Sequence, residues 1–361
     1  MGNTSPEILE FAFYAIGLLE QLSLHKLDFV FKGGSSLMLH FPDIKRLSTD
    51  IDIVTGTTRE ELEEILSIIC FESHFTRWQL DTKRSYTGKI PKAHYFLFFH
   101  SDLSGNEKYI LLDVLQEKPV FPEIVERSVK IPSMKNEGDP LIVKTPGLNS
   151  LLGDKLTAFA PDTIGVTYAS GKHLSMAKQL YDIDMLIDSE RDISIVSDTF
   201  KISAELEISY LDDYKIIIDD VYNDIRDTAF LFSWGFFNKI TDSGKRGKYR
   251  VFEKGMAALN SFLPGNKRFT RLDMLIAASK AGGILAYPGK RKIVFNGFLR
   301  PENPPEVYRQ LYFSDSYRAE RTRYPDLWHI QRSRGCSQDK VRRPSFAEGI
   351  KRHSSEGAAW Y

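Results

Sequence analysis

Cysteine is nearly missing from this chain: Cys70 and Cys336, far apart, are the only two. They make no disulfide framework and no zinc-ligand spacing, and they suit a reducing compartment. An excess of one charge is missing too. Lys+Arg and Asp+Glu stand at 48 each, so global charge gives no reason to expect a nucleic-acid partner, although local patches can act. No apolar run reaches the roughly 18 residues of a membrane span. The first residues have no basic segment leading to an apolar stretch and a small-residue cleavage site. The apolar stretch after Pro6 carries acids at both ends and reads as a buried helix. Cytoplasmic residence, with no membrane partner, is the resulting expectation. A Walker A sequence, HExxH, a nucleophile elbow and a Rossmann fingerprint are all absent. The eight histidines form no ligand cluster.

What is present is an ordinary globular composition, 42% apolar and 27% charged over 361 residues, enough for two domains or three. Residues 7–26 read as a helix, with Ser5 as N-cap and Pro6 at the first helical position. Residues 28–32 read as a strand that stops at Gly33-Gly34, and 35–40 open a short helix. Ile51–Val54 alternates as a strand. Thr58 and Glu61 are spaced as a capping box for another helix. Strands follow over 78–86, 93–100 and 109–115. After Pro146 the pattern turns helical: 148–159, 174–186, 193–210, 216–237, 248–262 and 271–281. The expected class is α+β with a mixed sheet, followed by a helical domain. The boundary falls near Pro140–Pro146, giving units of 1–146 and 147–314. Residues 315–361 hold ten Lys/Arg against six acids with few aliphatic residues. They read as a basic, poorly packed or disordered tail, a solvated segment before a nucleic-acid arm.

The chemistry concentrates in Lys32-Gly33-Gly34-Ser35-Ser36 and Arg46-Leu47-Ser48-Thr49-Asp50-Ile51-Asp52. Asp50 and Asp52 stand two apart on a strand and leave it on the same face. Adjacent carboxylates repel, and a divalent cation between them removes that repulsion; oxygen-only ligands suit Mg²⁺. The glycine pair Gly33-Gly34 lets the backbone turn tightly and approach a ligand. The helix opening at Ser35 offers free N–H groups to a phosphate, and Ser35 adds a hydroxyl. Alone, an Asp-x-Asp on a strand is more often a solvated edge than a metal site. The ordered combination with a glycine turn is the equipment of phosphoryl or nucleotidyl transfer.

This pattern resembles the first motif of the AbiEii/AbiGii toxin family of nucleotidyltransferases, a branch of the DNA polymerase β-like superfamily that includes abortive-infection and MenT-type toxins. The resemblance implies a polymerase β-like core and a helical domain that completes an active-site cleft. It implies that Gly34 and Ser35 bind the phosphates of an NTP and that Asp50 and Asp52 ligate Mg²⁺ or Mn²⁺. Arg46 and Ser48 match the Arg-x-Ser before the acids and would brace the loop, with Arg46 also able to meet phosphate. Asp113, in an otherwise apolar strand, either faces solvent or joins the pair as a third carboxylate and metal ligand. The later segments Asp154-Lys155-Leu156-Thr157-Ala158 and Lys178-Gln179-Leu180-Tyr181-Asp182 are similar to the family's second pair of motifs. There Lys155 would contact the triphosphate, and Asp182 would orient that lysine or the acceptor, or act as general base. Gln179 departs from the family, which carries Asp at that place. Without the resemblance, Lys155 and Asp182 are a surface ion pair.

The implied activity is transfer of an NMP from an NTP to an acceptor, with RNA, the 3′ end of a tRNA, as the acceptor. The implied setting is the toxin half of a type IV toxin–antitoxin or abortive-infection pair, with a cognate antitoxin encoded nearby. Two other readings stay open: an acceptor that is a small molecule or protein, and a nucleotide-binding sensor without turnover. The basic segments Lys245–Lys248 and Lys290–Lys292 read as solvated loops before RNA-steering ones. Phe230, Phe232, Trp234, Phe236 and Phe237 read as core.

Overall fold

The computed structural model describes residues 5–285, apart from 88, 131–138, 190–191 and 212–214. The tail over 315–361, Cys336 and the basic segment Lys290–Lys292 lie outside the described residues.

The first helix, α1 (Pro6–Leu24), starts where Ser5 accepts from the Glu7 amide and Pro6 takes the first helical position. A short strand β1 (Val30–Lys32) runs straight into the four-residue helix α2 (Gly33–Ser36). β2 (Ile51–Val54) and α3 (Arg59–Glu72) follow, and α3 opens on a complete capping box between Thr58 and Glu61. Five more strands complete the sheet: β3 (Phe75–Leu80), β4 (Lys92–His100), β5 (Glu107–Leu115), β6 (Ile124–Ser128) and β7 (Ile142–Pro146). Their order across the sheet is β3-β4-β5-β2-β1-β7-β6. β2 and β5 run parallel, as do β1 and β7, and the other neighbours are antiparallel. The sheet is therefore mixed and the class α+β.

The structure departs from the expectations at three strands, of which β6 falls where none was expected. β3 ends at Leu80 rather than Tyr86, because the Asp81 carboxylate accepts from the amides of Lys83 and Arg84 and folds 81–86 into a turn. Such local bonding by aspartate competes with a sheet ladder. Pro140–Pro146 contains β7, paired with β1 and β6 inside the sheet. Its prolines sit outside the strand and at its last residue, where no ladder donor is needed.

One face of the sheet carries the core. Leu18, Leu19 and Leu22 of α1 and Leu62, Leu66 and Ile69 of α3 meet Phe31, Ile51, Ile53, Tyr95, Leu112 and Val114, all fully or almost fully buried. Each such side chain stabilises by about 1.5–3 kcal/mol relative to exposure. Strand alternation then sends Lys32, Asp52, Asp113 and His94 to the opposite face.

After Pro146 the described elements are helical: α4 (Leu148–Ala158), α5 (His173–Ile187), α6 (Ile193–Tyr210), α7 (Ile218–Phe236), α8 (Ser243–Leu259) and α9 (Arg271–Leu285). An aromatic cluster of Phe159, Phe232, Tyr249 and Phe252 fills their centre. Phe232 belongs to it, but Trp234 is 40% exposed with the Lys245 ammonium over its ring. Lys245–Lys248 lies on the first turn of α8 rather than in a loop, after the N-cap Asp242. Among the described residues no helix is long and apolar enough to cross a membrane.

Candidate active site

The sheet register builds one row of charged groups. Lys32 on β1 pairs with Asp52 on β2, Asp52 with Asp113 on β5, and Asp113 with His94 on β4. Cross-strand partners share a face, so a lysine, two acids and a histidine stand side by side. Asp50 lies just before β2, and its carboxylate is close enough to the row for its charge and those of Asp113 and Asp52 to act on one another. All three acids are partly exposed.

Their electrostatics follow from crowding. Burial, then the like charges of Asp113 and Asp50, push Asp52 up to about 7. Burial likewise raises Asp50, against the pull of Lys178. Burial works to raise Asp113 as well, but Lys92 and the His94 hydrogen bond outweigh it and hold its carboxyl below the ordinary range. His94 Nδ1 bonds one Asp113 oxygen, and Lys92 Nζ lies 3.7 Å from the other. Lys32 Nζ sits 3.7 Å from Asp154 of α4. Burial works to discharge Lys32, but Asp154, Glu207 and Asp52 keep it charged. Glu207 of α6 is pushed up to about 7 by its burial there.

The glycine turn abuts this row. Gly33 has φ +75, a left-handed conformation that favours glycine. A Cβ on Gly33 would strike the Asp52 carboxylate, and one on Gly34 would strike the Arg46 guanidinium. Ser35 is fully buried. Its hydroxyl donates to the Asp50 carbonyl and lies 2.9 Å from Ser48 Oγ. The hydroxyl thus ties the turn to the acid-bearing strand, and half-buried Gly34 is what the turn leaves toward solvent.

Behind the turn lies a buried ionic cluster. Arg46 Nε and Nη2 each donate to an Asp182 oxygen at 2.6 Å. Lys155 Nζ is 2.8 Å from the same carboxylate and donates to Gln179 Oε1 at 3.0 Å. Arg46, Lys155 and Asp182 are 4%, 1% and 0% exposed. They are a sealed lock joining the turn to α4 and α5, not a surface ion pair. The geometry leaves Asp182 no open oxygen for an acceptor.

Sequence reasoning missed Lys32, Lys92, His94 and Lys178 as site residues. Lys32 could have been found beside the glycine pair. Lys92 and His94 join through the β4–β5 register, a non-local pairing that no local motif announces.

Among the described residues no three His, Cys, Asp or Glu side chains converge tightly enough to enclose a metal ion. The donor chemistry nonetheless suits a hard divalent cation. Asp50 and Asp52 are neighbouring oxygen donors, and the repulsion that raises Asp52 is what such a cation would relieve.

The model of a family described as nucleotidyl transferase AbiEii toxin, type IV TA system, matches residues 17–231. No curated protein matches the chain. Solved structures similar to it include JHP933 from Helicobacter pylori, at 16% identity and TM-score 0.43, covering 78% of this chain and 95% of that one. MenT4, a nucleotidyltransferase toxin from Mycobacterium tuberculosis, is 14% identical with TM-score 0.40, covering 76% and 91%. An antigenic nucleotidyltransferase-like protein from Paracoccidioides brasiliensis is 12% identical with TM-score 0.33, covering 51% and 77%.

Proposed function

This chain belongs to the AbiEii family of nucleotidyltransferase toxins from type IV toxin–antitoxin systems and is a nucleotidyltransferase; on that premise we propose that it transfers a nucleoside monophosphate from an NTP to a hydroxyl of RNA, at the 3′ end of a tRNA. The acceptor oxygen bonds to the α-phosphorus as the bond from that phosphorus to the β-phosphate oxygen breaks. Pyrophosphate leaves with the electron pair, and the hydroxyl proton passes to water.

Asp50 and Asp52 would hold a divalent cation, magnesium or manganese, with Asp113 as third oxygen donor on the row. Such an ion, when bound, supplies positive charge beside phosphate oxygens that gain charge during transfer. His94 fixes the orientation of Asp113, the usual service of an outer partner to a ligating carboxylate. The Gly33-Gly34-Ser35 turn offers its backbone to the phosphates, with Arg46, Ser48 and the Ser35 hydroxyl bracing it. Asp182 and Lys155 keep that brace in place from behind.

The observation that carries this reading is the acid row: Asp52 and Asp113 in register, Asp50 two residues before, and a glycine turn so close that a methyl group on Gly33 would strike Asp52. The test uses α-labelled NTPs, MgCl₂ and total RNA. Label in RNA-sized material that RNase releases supports the reading. Label that survives RNase moves the acceptor to a protein or small molecule. NTP binding without pyrophosphate release makes the protein a sensor.

A further inference from the structure

Two lysines flank Asp182, and only one is reachable. Lys155 is 1% exposed and neutralised by that carboxylate at 2.8 Å. Lys178, one turn before Asp182 on α5, is half-buried, and among the described residues it makes no ion pair. Its Nζ stands 4.0 Å from the centre of the Phe262 ring. An aromatic face holds a cation in place without cancelling its charge. The backbone that carries the ring is anchored, because the Leu47 amide donates to the Phe262 carbonyl at 2.9 Å. The Tyr181 hydroxyl donates to the Lys45 carbonyl at 3.0 Å and pins α5 to the same loop. Lys178 is therefore a positioned, partly exposed cation whose charge acts on Asp50.

The charge behind the turn adds to this. In the sealed cluster two cations, Arg46 and Lys155, share one carboxylate, Asp182, while the fourth member, Gln179, is neutral. The cluster thus holds one positive charge in excess, next to Gly34. Within the cluster that charge has no carboxylate of its own; Asp50 acts on Arg46 from outside it, and an anion at the turn would relieve the remainder. The crowding also shows in Lys178, which burial and then Arg46 push down to about 8.

We propose that Lys178 is the triphosphate-binding lysine of this protein, backed by the excess charge of the Arg46–Asp182–Lys155–Gln179 cluster, and that Lys155 is a buried lock which does not touch the nucleotide. The inference rests on the NTP reading of the site. The experiment is calorimetric titration of the full chain with tripolyphosphate and with each of the four NTPs, in MgCl₂. Wild type, Lys178→Gln, Lys178→Arg and Lys155→Met are compared, with a thermal unfolding midpoint for each. Lys178→Gln should weaken binding of tripolyphosphate and NTP by about tenfold or more, the share of one charge-assisted phosphate contact. Its midpoint should not fall, because the fold disfavours the charge that is removed, and Lys178→Arg should recover part of the loss. Lys155→Met should lower the midpoint. Wild-type-like binding by Lys178→Gln, within about twofold, overturns the assignment while leaving the NTP reading intact. Absence of any binding by the wild type overturns both.

Discussion

The Arg46 guanidinium holds both oxygens of Asp182, at 2.6 Å each, across 136 residues of sequence. Bidentate charge-assisted pairs of this kind fix geometry as well as adding energy. Asp182 also holds Lys155, so the partners are not equivalent. Asp182→Ala strands two buried cations, whereas Arg46→Ala leaves Asp182 paired with Lys155. Breaking a buried pair costs about 3–5 kcal/mol. We expect Asp182→Ala at or above the top of that range and Arg46→Ala near the bottom, read from urea unfolding midpoints. The reverse order contradicts the charge count given for the cluster.

The glycine turn gives a second expectation. Gly33→Ala places an L-residue at φ +75 and a methyl group against Asp52. The backbone strain alone costs about 1–2 kcal/mol. Displacing the Asp52 carboxylate by about an ångström should lower kcat about 100-fold, with the circular dichroism of the fold retained. Gly34→Ala should act through Arg46 instead, lowering the unfolding midpoint along with the activity. Near-normal kcat in Gly33→Ala would refute the close approach as a functional feature.

Acidity at the row sets a pH dependence. Asp52 ionises at about 7 in the fold, raised by burial, Asp113 and Asp50, against an ordinary value of 3.8. A raised carboxylate leaves the fold unpenalised below the ordinary value; the penalty grows as pH rises from 3.8 toward 7 and levels off above it. Metal-free Asp52→Asn should therefore melt a few degrees above wild type at pH 8, and by less at pH 5, in differential scanning calorimetry. Adding MgCl₂ or MnCl₂ at pH 8 should raise the wild-type midpoint and leave Asp52→Asn in place. A gap between the two proteins that widens toward acid would contradict the sign.

Much of this architecture was legible from local patterns. The Ser5 and Thr58 caps, the alternation around Asp52 and the helical run after Pro146 are signals carried by a few adjacent residues. Ile51 and Ile53 bury, so Asp52 between them faces the other way, and that follows from period two alone. What was not legible depends on pairing across the chain. Asp113 meets His94 only through the β4–β5 register, and the β7 segment reads only as a boundary until it is seen beside β1. The burial of Lys155 and the openness of Lys178 come from how α4 and α5 meet the Arg46 loop. Both lysines look like surface residues in their own helices, and tertiary packing separates them.

The most direct measurement of the account is pyrophosphate release from α-labelled NTP and RNA in MgCl₂, timed for wild type, Asp50→Asn and Asp52→Asn. The account predicts label in RNA and matching pyrophosphate for the wild type, with both lost by about 100-fold or more in each variant while their folds persist. Undiminished transfer in either variant would contradict it.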